Sequence, residues 1–68
     1  MKIKFGKRLK ELRLEKGLTQ KDLAQNMNVS TATVTRWELE VQEPDYLTLA
    51  KLASYFKVTA DYLLGLED

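Results

Sequence analysis

Residues 28–38 read NVSTATVTRWE, and five of them (Val29, Thr31, Thr33, Val34 and Thr35) are β-branched. Side chains of that kind favour strands. The pattern of polarity decides otherwise. As a strand, one face would carry Val29, Thr31, Thr33, Thr35 and Trp37. The other would carry Ser30, Ala32, Val34, Arg36 and Glu38, so neither face makes a core side. As a helix, Val34, Trp37 and Glu38 fall together at i, i+3, i+4, while Ala32 and Arg36 point the other way, with Thr31 and Thr35 beside them. Ser30 is well placed to N-cap it, its hydroxyl accepting from the amide of Ala32 or Thr33. The propensity cost is a few tenths of a kcal/mol per residue, less than burial of the inner face returns. A helix with an exposed threonine face is expected.

Working outward, Phe5, Leu9, Leu12 and Lys16 recur at helical spacing, so residues 5–16 read as an amphipathic helix ended by Gly17. Thr19 can cap a second, two-turn helix with Asp22 at N3 as an approximate capping box. Leu23, Ala24 and Met27 form its inner stripe, and Asn28 suits a left-handed terminus. After the linker Leu39–Glu43 and Pro44, Asp45 can cap a fourth helix whose apolar set is Tyr46, Leu49, Leu52, Ala53 and Phe56. Thr59 then caps a short last helix holding Tyr62, Leu63 and Leu64, closed by Gly65. The fold class expected is all-α: five short helices in a single domain over residues 1–68, with residues 1–4 as a flexible basic arm.

Composition narrows the chemistry. The 68 residues include no cysteine and no histidine. That removes disulfides, thiolate metal sites and the usual general base, so no enzyme activity, metal or cofactor is expected. No apolar run approaches the roughly 18 residues of a membrane span, and a cytoplasmic protein without a membrane partner is the simplest expectation. Charge is uneven. Residues 1–21 carry eight basic side chains against two carboxylates, net +6; the remainder carries three against eight, net −5. A basic end fits an acidic partner such as nucleic acid, or equally a solvated helix face.

The second and third helices, joined by about three residues around Asn28 with small Ala24 near their crossing, have the form of a helix-turn-helix. The stretches LRLEKGLTQKDLA, VSTATVTRWE, the EP pair before helix four, and DYLLG together resemble the Cro/phage-repressor type, or xenobiotic-response-element (XRE), helix-turn-helix family over residues 5–65. The resemblance implies a λ-repressor-like, five-helix DNA-binding domain, bacterial or phage-encoded, whose third helix enters the major groove. By matching positions it implies phosphate contacts from Gln20, Thr19 and Thr33, and on charge Lys21 beside them is expected to add another. Thr31, Ala32, Thr35 and Arg36 would then face base edges. Arginine can donate bidentately to guanine O6 and N7, and alanine can meet the thymine methyl.

Arg13 and Glu38 match a family ion pair between helices one and three. Trp37, Tyr46 and Tyr62 read as core or half-buried packing rather than stacking platforms. Two positions depart from the family: Glu40 and Lys57 stand where glycine is usual. The expected function is a sequence-specific transcriptional regulator, a repressor, acting on double-stranded DNA as a homodimer. The family's dimer contacts would involve Lys57, Val58, Thr59 and Leu66. The rival expectation is a protein-interaction module of the same fold, an antitoxin or regulator-binding partner with DNA binding secondary.

Overall fold

Four of the five helices begin where a side chain can satisfy a free amide, and only the first starts without such a cap among the described residues. The computed structural model describes residues 3–67. Its elements are α1 (Phe5–Glu15), α2 (Gln20–Met27), α3 (Thr31–Glu38), α4 (Tyr46–Phe56) and α5 (Ala60–Leu64), with no strand among the described residues. Thr19, Ser30, Asp45 and Thr59 all accept a hydrogen bond from the amide three residues on, and Thr19 with Asp22 completes a reciprocal capping box. α1 stops one residue short of the span expected, with Lys16 as its C-cap. Asn28, Glu40 and Lys57 all have positive φ, at 59°, 59° and 57°. The two positions without the family's glycine therefore keep the left-handed backbone, at about 1–2 kcal/mol each for a side chain other than glycine or asparagine.

The core is one cluster to which every helix contributes. Leu9 of α1, Leu23 of α2, Val34 of α3, Leu52 of α4 and Leu63 of α5 are each 0% exposed. Phe5 and Trp37 meet edge to face, ring centroids 6.5 Å apart, joining α1 to α3. The Trp37 indole N–H is buried without an acceptor among the described residues, a penalty that burial of the ring must outweigh. The radius of gyration, 10.7 Å, is what a chain of this length reaches when it packs as one unit. α1 can lie close against the end of α3 because residue 6 is glycine. A Cβ there would sit 2.5 Å from the Glu38 carbonyl oxygen and 2.8 Å from that of Trp37.

One assignment is corrected. Tyr46, expected in or beside the core, is 81% exposed. Burial along α4 falls off toward its first turn: Leu52 is buried, Leu49 half-buried and Tyr46 in solvent. Periodicity identified the inward side of the helix, but at its first residue that side is open to solvent. Trp37 is buried and Tyr62 half-buried, as expected. Of the basic arm, Met1 and Lys2 lie outside the described residues. The Lys4 amide donates to the Leu64 carbonyl at 2.8 Å, tying the chain to α5 just before α1.

Candidate nucleic-acid interface

The turn between α2 and α3 follows from three residues. Asn28 takes the left-handed conformation, and the Val29 amide turns back to the Ala24 carbonyl at 2.9 Å. Ser30 then opens α3, its Oγ accepting from the Thr33 amide at 3.1 Å and lying 2.9 Å from the Thr33 hydroxyl. Ala24 is 2% exposed, which suits close packing of α3 on α2. With Val34 and Trp37 buried, the opposite face of α3 is fixed: Thr31, Ala32 and Arg36 are exposed, and Thr33 and Thr35 half-buried. Thr31, Ala32, Thr35 and Arg36 thus lie on one side of one helix. No hydrogen bond or ion pair engages the Arg36 guanidinium among the described residues.

Behind that face α3 is pinned by a polar cluster. The Arg13 guanidinium donates to Glu38 from Nε to Oε2 at 2.6 Å and from Nη2 to Oε1 at 3.2 Å. A third donor, Nη1, meets the Leu18 carbonyl at 2.7 Å. The two side chains are only 9% and 5% exposed. A buried carboxylate is tolerated only when paired and hydrogen-bonded, and this one is both. Gln20 adds a further donor, Nε2 to Glu38 Oε1 at 3.0 Å, and its Oε1 accepts from the Thr35 hydroxyl at 2.7 Å. The residue is half-buried at the first position of α2, next to exposed Thr19 and Lys21. Thr19 Oγ1 is occupied in capping, accepting from the Asp22 amide at 3.0 Å.

Sequence reading paired Arg13 with Glu38 but missed that Gln20 joins Glu38 and Thr35. Those partners lie on another helix, at separations no periodicity reports. It also missed Gly6, although a glycine inside a helical pattern is a signal of close approach. Nor did it find two contacts that clamp the flanks: Arg8 over the Tyr62 ring at 4.2 Å, and Lys16 over Tyr55 at 5.0 Å. The dimer candidates cluster by element: Lys57, Val58 and Thr59 form the α4–α5 junction, and Leu66, 39% exposed, follows α5. No helix among the described residues is long and apolar enough to cross a membrane.

Comparison with known proteins places this geometry. The chain is 39% identical over 66 residues to the HTH-type transcriptional regulator ImmR of Bacillus subtilis (strain 168), covering 97% of this chain and 52% of that one. It is 35% identical over 66 residues to the HTH-type transcriptional activator BcrR of Enterococcus faecalis, covering 97% and 32% respectively. A transcriptional regulator from Listeria innocua, known as a crystal structure, superposes with a TM-score of 0.92 at 32% identity, over 100% of this chain and 64% of that one. The chain thus spans from about a third to about two thirds of the length of these relatives. Residues 9–63, from the middle of α1 to the penultimate residue of α5, match the helix-turn-helix family. The chain belongs to the XRE-type helix-turn-helix family, in its λ-repressor-like five-helix form.

Proposed function

We propose that this protein is a sequence-specific DNA-binding transcriptional regulator that inserts α3 into the major groove. The observation that carries the reading is the outward face of α3, with Thr31, Ala32 and Arg36 exposed and Thr35 half-buried, backed by a buried ion pair that ties the helix to α1. Arg36 supplies a bidentate donor for guanine and Ala32 a methyl for thymine. Thr19, Gln20, Lys21 and Thr33, at the starts of α2 and α3, are assigned to phosphates, which favour helix N-termini. One such unit buries too little surface for tight selective binding, so two copies would bind a pseudo-palindromic operator. Their contact is assigned to Lys57, Val58, Thr59 and Leu66. Repression is the favoured outcome, because occupying a promoter suffices for it while activation needs a further productive contact. Selection of bound duplexes from a random pool tests this. A two-fold symmetric consensus is expected; a pool that never converges would overturn it.

The second reading, a protein-interaction module, rests on the exposed apolar side chains of Leu39, Val41, Tyr46 and Leu47. They crowd the linker and the first turn of α4, beside Glu40 and Glu43. If that surface were the working face, Leu39→Ser with Leu47→Ser would abolish regulation of a reporter while leaving DNA affinity intact.

A further inference from the structure

At Thr35 the hydroxyl proton has two acceptors inside the protein, Gln20 Oε1 and the Thr31 carbonyl, and Glu38 orients the first of them. A carboxylate paired with a guanidinium offers only acceptors. The Gln20 amide beside it must therefore turn its NH2 toward Glu38, here 3.0 Å from Nε2 to Oε1, leaving Oε1 to face α3. There it accepts the single proton of the Thr35 hydroxyl at 2.7 Å. Were Gln20 to withdraw, the proton would still have an internal acceptor, the Thr31 carbonyl one turn back at 3.1 Å. Either way the hydroxyl shows its lone pairs outward and no hydrogen. Gln20 need not release either partner to meet a phosphate, since Nε2 carries a second hydrogen.

We propose that Thr35 reads DNA as a hydrogen-bond acceptor only, selecting a base pair that offers an exocyclic amine in the major groove, adenine N6 or cytosine N4. A free threonine hydroxyl could serve either kind of base contact. Fixing its proton on the Gln20–Glu38 chain turns an indifferent reader into a selective one that rejects guanine O6 and N7 at that position. In this assignment Gln20 and Glu38 are positioning residues, acting through Thr35. The inference rests on the DNA-binding reading above.

The test uses the full chain, an operator selected from a random pool, and duplexes with single base analogues. Adenine is replaced by purine and cytosine by 2-pyrimidinone, each removing one exocyclic amine; purines are separately replaced by their 7-deaza forms, removing the N7 acceptor. Binding is compared for wild type, Thr35→Val and Thr35→Ser, after melting curves establish that all three fold. At one base pair per half-site, loss of the amine should weaken wild type and Thr35→Ser by roughly 3- to 10-fold beyond its effect on Thr35→Val. The 7-deaza changes should affect all three alike at that pair. Coupling of Thr35 to a 7-deaza position would overturn the inference alone, as would specific binding in which Thr35→Val is additive with every analogue. Absence of any sequence preference in the selection would instead overturn the DNA reading beneath it.

Discussion

At the scale of single residues, Arg13 and Glu38 decide whether α3 is held in place. Removing one partner leaves the other charge buried, so Arg13→Ala should destabilise by about 3–5 kcal/mol, a large share of what so small a domain has. Replacing both by apolar residues of similar volume should be far milder, and a double-mutant cycle in urea measures the difference. Equal losses from the single and double changes would mean the pair is uncoupled. Glu40 offers a change of opposite sign. With φ at 59°, Glu40→Gly should raise stability by up to about 1 kcal/mol, read as a higher denaturation midpoint. Apart from the Arg13–Glu38 pair, which came from the family resemblance, what the sequence made legible at this scale was local: capping hydroxyls and left-handed positions depend on residues within one turn of each other. The exposure of Tyr46, the Gln20–Glu38–Thr35 chain and the close approach at Gly6 depend on where other helices end, which spacing along the chain does not encode.

At the scale of the helices, short elements survive because their ends are satisfied. α2 and α3 have only eight residues each, well below the length at which isolated helices persist. The Asp22 carboxyl is held below its ordinary value by the backbone amide and then the hydroxyl of Thr19, and Asp45 likewise by Thr48. A depressed folded-state value means that the ionised form stabilises. This contribution is fully present above the unfolded-state value and disappears as pH falls through the lower folded one. Thermal midpoints followed from about pH 6 down to about pH 2 should therefore decline at the acid end, and Asp22→Asn with Asp45→Asn should flatten that decline. An unchanged acid slope in the double variant would show that these caps add nothing through their charge.

At the scale of the whole molecule, a net charge of only +1 makes the distribution of charge matter more than its sum. Phosphate contacts are assigned to Thr19, Gln20 and Lys21 at the start of α2 together with the basic side chains of the N-terminal segment, all within the basic first third of the chain. With about three to five phosphates neutralised per subunit, a dimer should lose affinity with a log–log salt slope of about −5 to −9, and a slope near zero on the selected site would contradict phosphate binding. The central claim is that the outward face of α3 reads base edges, and Arg36 is its longest exposed side chain. The most direct measurement is a single-base-substitution panel on the selected operator, comparing wild type with Arg36→Ala. If Arg36 donates to a guanine, the variant should bind the best site about 1–3 kcal/mol more weakly and lose preference at one base pair in each half-site. The two relaxed positions should be symmetric, in half-sites centred about 34 Å apart. A uniform loss across every sequence, with all preferences intact, would make Arg36 a phosphate contact and contradict the claim.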